Sequence, residues 1–203
     1  EDLGEGSLPA PVKGIAPMLR PFPDPDAVAQ VVDLLRNAER PVILIGGGAN
    51  YSDAGAAILA LAEMLQAPVV NSPTSRGVLP ETHPLVLGAS GIIGYEPIGD
   101  AIREADMVLA IGSRLSDLQT SRGELLPEGA PLIQIDIDPT AIGREYPVTV
   151  AAVADARAFT EALNQALDRA PLDVPDARRN WAVSLDQRYE AWRADCTASE
   201  PGN

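Results

Sequence analysis

The chain has 203 residues, enough for one substantial domain with flanking tails. Hydrophobic residues make up 46% of it but aromatics only 4%, so aliphatic side chains must fill the core. The formal net charge of −14 argues against nucleic acid and anionic membrane surfaces as partners.

A single cysteine, Cys196, rules out an intrachain disulfide and a cysteine-built metal site. A single histidine, His83, leaves zinc chemistry and histidine-dependent triads short of residues. No apolar run approaches the length of a membrane helix, and no secretory leader is visible, so the cytoplasm is the expected compartment. The chain opens at Glu1 in the polar, Pro/Gly-rich stretch "EDLGEGSLPAPVKGIAP". That reads as the interior of a longer protein, and an excised domain is expected.

Residues 1–23 read as a linker, 24–170 as a central domain and 171–203 as a helical tail. In "RPFPDPD" the prolines extend the chain up to Asp24, an N-cap with Pro25 at the first helical position. The helix that follows carries Val28, Val31, Val32, Leu34 and Leu35 at helical spacing. Val42–Ile45 is a short apolar run suited to a buried parallel strand. After three glycines, Ser52 or Asp53 is expected to cap a helix burying Ile58, Leu61, Ala62 and Leu65. Pro68–Asn71 is a second strand, and "SPTSRGVLPETHPLVLGASGIIG" reads as a loop. A helix near Pro97–Glu104 follows, then strands at Asp106–Gly112, Pro131–Asp138 and Pro147–Ala152, then a helix over Ala154–Leu167 begun by Asp155. Strands alternating with helices give an α/β fold with a doubly wound parallel sheet covered on both faces. In the tail, Trp181, Leu185, Tyr189 and Trp192 form one apolar stripe, placed to dock on this domain or on a neighbour.

Four segments bear on function. In "RPVILIGGGANYSDAG", Gly46 and Gly48 fit the first two positions of a dinucleotide fingerprint, but the third falls on Tyr51. Strand two also ends in Asn71 rather than an acid, so that fingerprint is absent. The glycines either let backbone amides approach a phosphate or simply make a tight turn. In "AIGSRLSD" a strand ends at Gly112 and delivers Arg114 to the sheet's carboxyl edge, where ligands of open α/β sheets bind. Arg114 there either pairs with a phosphate or forms a surface ion pair with Asp117 or Glu124. In "QIDIDPTAIGR", Asp136 is placed to accept hydrogen bonds from ribose hydroxyls or an adenine amine. Asp138 is better read as the cap of a short turn. In "NSPTSRGVLPETHP", Ser72, Thr74, Ser75 and Gly77 can line a groove, whereas His83 is expected to pack in a turn. None of these segments pairs a nucleophile with a base or builds a metal cluster.

Over residues 24 to 168, the ordered set "RPVILIGGGA", "LAEMLQAPVVNSPTSRGVLPETHPLVLGASG", "ADMVLAIGSRLSD", "LIQIDIDPTAIGR" and "VADARAFTEAL" resembles the central domain of thiamine-diphosphate-dependent enzymes, the acetolactate synthase-like group above all. The resemblance implies a six-stranded parallel sheet, Rossmann-like, with helices on both faces. It implies partner domains on either side in the same parent chain. These bind thiamine diphosphate and magnesium, and the parent is a homodimer or homotetramer. The fragment alone is then not a catalyst. In this family the central domain holds FAD, ADP or nothing. Carried over residue by residue, the ligand would meet Gly46, Gly47, Gly48, Arg114, Asp136 and Asp155, with Arg20 of the linker near a diphosphate. Thr74, Ser75, Ser90, Gly91 and Gly112 complete the candidate set. This chain has Ser90-Gly91 where many flavin-binding members have His-Gly, and Leu115-Ser116-Asp117 where they have Phe-Asp-Asp. Those departures shift weight from FAD toward ADP or an empty groove. The alternatives of other classes are a structural spacer and a stand-alone NAD-dependent deacylase of the same fold.

Overall fold

The computed structural model describes residues 20–198. Most of the expected linker, residues 1–19, and the last five residues of the tail lie outside the described residues.

Helix α1 (Pro25–Asn37) starts where its sequence signals place it, with the Asp24 carboxylate accepting from the Asp26 amide at 2.9 Å. Its apolar stripe, Ala27, Val28, Val31, Val32 and Leu35, is buried. Strand β1 (Pro41–Ile45) is buried on both faces. The glycines then begin a helix themselves: α2 (Gly47–Tyr51) has Gly46 as its N-cap. The expected cap at Ser52 or Asp53 is not made. Ser52 ends α2, Asp53 turns at φ +54°, and α3 (Gly55–Leu65) starts after Ala54 with no side-chain cap. The turn residues are therefore used between two helices instead of in front of one.

Strand β2 (Val69–Asn71) leads through a 3₁₀ turn (Pro73–Ser75) to β3 (Val86–Ala89). That strand lies inside the segment read as loop. Next come α4 (Glu96–Arg103), β4 (Met107–Ile111), the short α5 (Asp117–Thr120) and β5 (Leu132–Asp136). The last strand, β6 (Val150–Val153), starts three residues later than expected. Helix α6 (Ala156–Arg169) is capped by Asp155, whose side chain accepts from the Ala158 amide at 3.0 Å. Helix α7 (Asp176–Ala198) forms the tail.

All six strands are parallel, in the order β3-β2-β1-β4-β5-β6. Alternate strand residues feed two cores. Ile43, Ile45, Leu109 and Ile111 pack with α1, α3 and α6, and Val42, Leu44, Val108 and Ala110 pack with α4 and α7. The tail stripe docks on this domain: Leu185 is buried, with Trp181 and Tyr189 packed around it. Trp192 packs against Tyr95 with the rings tilted by 36° and their centroids 4.3 Å apart.

Candidate functional site

From β1 the chain winds outward to β2 and β3, then returns to lay β4 against the other side of β1. The connections after β1 and β4 therefore leave in opposite directions, and a crevice opens at the carboxyl ends of these two strands. A cleft of about 620 Å³ sits there. Its walls come from the turns that follow β1, β2, β4 and β5, from the start of α6, and from Arg20. No single segment builds it; the topology gathers it.

Of the residues singled out in the sequence, Arg20, Gly46, Gly47, Gly48, Thr74, Gly112, Arg114, Asp136 and Asp155 line this cleft. Three do not. Ser75 is buried, and its hydroxyl donates to the Ile45 carbonyl at 2.8 Å. The buried Ser90 hydroxyl donates to the Gln119 carbonyl at 3.1 Å. Gly91 turns at φ +93° directly against the Leu118 backbone. These three tie the β2 and β3 turns to their neighbours instead of facing the opening.

The glycines divide by role. A β-carbon at Gly46 or Gly48 would run into the Gly112–Ser113 backbone, at 2.3 Å and 2.7 Å for the closest atoms. Gly112 itself sits at φ +59°. These three glycines let two turns touch across the crevice. Only Gly47 faces Thr74, whose hydroxyl lies 3.2 Å from where its β-carbon would be.

The charged groups occupy several parts of the wall. Arg20 uses Nη1 both to donate to the Ser52 carbonyl at 2.5 Å and to pair with Asp155 at 3.2 Å, so that nitrogen of its guanidinium is already committed. Arg114 is exposed and makes no hydrogen bond or ion pair with any described residue; the surface pairs with Asp117 and Glu124 do not form. Asp136 is buried, and its Oδ1 accepts from the Asp138 amide at 2.9 Å, which leaves Oδ2 for another donor. Asp138 caps its turn as expected, accepting from the Thr140 hydroxyl at 2.6 Å and the Thr140 amide at 3.0 Å. Those bonds hold the Asp138 carboxyl below the ordinary carboxylate range, with the positive charges of Arg114 and Arg144 adding to the effect.

Beneath the cleft lies a buried polar network that the sequence motifs do not announce. The Ser113 hydroxyl donates to Gln119 Oε1 at 2.6 Å, and Gln119 Nε2 donates to the Ile45 carbonyl at 3.3 Å. Gln134 Nε2 donates to the Ser113 carbonyl at 2.9 Å, and its Oε1 accepts from the Gly143 amide at 2.9 Å. These side chains fix the turns after β4 and β5 relative to β1. One signal of it is present in the sequence: Gln134 is a polar residue interrupting an apolar strand. His83 stands outside the cleft, with its Nδ1 accepting from the Leu85 amide at 3.2 Å and its Nε2 3.3 Å from Glu63.

A family profile described as "Thiamine pyrophosphate enzyme, central domain" matches residues 28–163, more than half of the chain. The chain belongs to this family. The domain is 35% identical over 197 residues to a probable acetolactate synthase large subunit of Methanocaldococcus jannaschii, covering 94% of this chain and 32% of that protein. It is 33% identical over 202 residues to a sulfoacetaldehyde acetyltransferase of Rhodobacter capsulatus, covering 90% of this chain and 34% of that one. With a probable 2-ketoarginine decarboxylase of Pseudomonas aeruginosa the identity is 40% over 164 residues, 78% of this chain and 28% of the relative. This central domain thus spans about a third or less of the curated relatives it matches.

Proposed function

We propose that this central domain is part of a thiamine-diphosphate-dependent 2-keto acid carboligase or decarboxylase, acetolactate synthase-like, and is not catalytic by itself. Its cleft takes the adenine-nucleotide portion of ADP or FAD. One observation carries the nucleotide reading: Asp136 with a free carboxylate oxygen and Arg114 without a partner face the same switch-point crevice. A buried acid suits ribose hydroxyls, and an unpaired guanidinium suits a diphosphate. The names of the relatives, a synthase, an acyltransferase and a decarboxylase, support the parent reading.

In this reading the domain's residues bind and orient and perform no bond-making step. Membership of the central-domain family supports assigning thiamine diphosphate and magnesium to other domains of a cytoplasmic, oligomeric parent. Thiamine diphosphate supplies the stabilised carbanion chemistry when bound there.

A spacer with an empty groove remains as a second reading, because Gly46, Gly48 and Gly112 are already explained by turn-to-turn packing. An NAD-dependent deacylase is disfavoured, since the one histidine lies outside the cleft.

Calorimetric titration with ADP and with FAD separates the first two. The nucleotide reading expects binding that Arg114→Ala weakens about tenfold. Absence of binding to either ligand would favour the spacer.

A further inference from the structure

Helix α2 starts on the cleft floor at Gly47 and ends at Tyr51, one turn later. Side chains four residues apart on a helix lie one above the other. The Tyr51 ring accordingly stands over Gly47, with Cε2 3.9 Å from where a Gly47 β-carbon would be. Gly47 has no side chain to cover the ring, and Tyr51 is 84% exposed. Among the described residues its hydroxyl has no hydrogen-bond partner and its ring no aromatic neighbour.

One exposed tyrosine needs no explanation. Here, however, three exposed large apolar side chains, Tyr51, Leu118 and Ile137, line one cleft. Much of the remaining lining is charged or hydroxylated, including Arg114, Asp136 and Thr74. Such a lining suits a ligand with a flat apolar part and a polar, anionic part.

We infer that Tyr51 is the stacking platform for the planar ring of the cleft's ligand, and so a specificity-determining residue of this site. The inference rests on the nucleotide reading of the cleft and adds a requirement to it. Affinity depends on an aromatic face at position 51 and on a ring in the ligand. A ring laid against an aromatic face gains dispersion and excludes water from both surfaces. Sequence fingerprints do not register this position, because Tyr51 occupies the slot where a dinucleotide motif has its third glycine.

The 203-residue chain is titrated with ADP and with inorganic pyrophosphate, which shares the diphosphate but lacks the ring. Tyr51→Ala is expected to weaken ADP about tenfold and to leave pyrophosphate unchanged, while Tyr51→Phe keeps wild-type ADP affinity. Thermal melting of all three proteins should coincide, because the side chain is exposed. ADP isotherms that overlay for wild type and Tyr51→Ala would overturn the platform and leave the nucleotide reading standing. Equal losses for ADP and pyrophosphate would also overturn it, since the ring would then be irrelevant. A wild-type chain that binds neither ADP nor FAD would remove the nucleotide reading and the platform together.

Discussion

A β-carbon added to Gly46 would sit 2.3 Å from the Gly112 carbonyl oxygen. The turns after β1 and β4 are in backbone contact, and the floor of the cleft depends on that contact. Gly46→Ala should therefore force the two turns apart, costing about 3 kcal/mol, the upper range for overpacking. Gly77 provides the control. Unlike Gly46, whose backbone is extended at φ −112°, it has a left-handed φ, +83°, but open space around it, so Gly77→Ala should cost only the backbone strain, about 1 kcal/mol. Urea unfolding of both variants checks this; equal losses would mean the turns are not in contact.

Asp155 performs two tasks at once. It caps α6 through the Ala158 amide and pairs with Arg20 across the cleft mouth. The cap stabilises the fold more than the ion pair does, because the Arg20 side chain is 40% exposed and solvent screens its charge. Asp155→Ala should destabilise the chain by about 1 kcal/mol or slightly more. Asp155→Asn keeps a capping oxygen, so its loss should be a few tenths of that. A similar loss for both variants would assign the stability to the ion pair instead.

What the sequence disclosed and what it concealed follow from how local each interaction is. Asp24, Asp138 and Asp155 cap amides two or three residues away, and all three are readable from the sequence. Strands β1, β4 and β5 are apolar runs whose burial on both faces leaves no alternation to misread. Strand β3 is hidden because Gly88, at φ +100°, breaks its pattern and its pairing with β2 slips between Val69 and Val70. Helix α2 opens on two glycines, against propensity, and the contact with Gly112 explains the second, Gly48, only once β4 is placed. The cleft is legible as a list of residues. Which of them face it is not, because Ser75, Ser90 and Gly91 are claimed by carbonyls and backbone from distant segments.

Arg178 is the largest of the fully buried side chains, only 1% exposed, and it makes no ion pair with a described carboxylate, although the charge of Asp106 acts on it. Its guanidinium donates to the Leu35 and Ala38 carbonyls at the end of α1 and to the Leu65 carbonyl at the end of α3, 3.3 Å away in the last case. Two helix C-termini thus supply the compensating negative potential, and burial holds its pKa below the ordinary arginine value. Arg178→Met keeps an unbranched apolar stem but loses the guanidinium and leaves these carbonyls unpaired. The expected loss is about 3 kcal/mol. Hydrogen exchange should locate the damage at the start of α7 and the ends of α1 and α3, with the cleft amides unaffected.

Arg76 and Glu81 bracket the turn between β2 and β3 through two hydrogen bonds of 2.9 Å. The hydrogen bond from Arg76, and then its charge, hold the Glu81 carboxyl below its ordinary 4.5. A carboxyl whose folded pKa is depressed contributes stability above the unfolded value and loses it as pH falls through the folded one. The contribution is therefore complete at neutral pH and disappears only in acid below 4.5. Arg76 is about half exposed, so solvent limits the pair to less than about 1 kcal/mol. Carbon-detected NMR titration should find Glu81 ionising below 4.5. Arg76→Ala should raise it and remove that small acid-side slope in stability. An unchanged Glu81 titration in Arg76→Ala would mean that another group sets its ionisation.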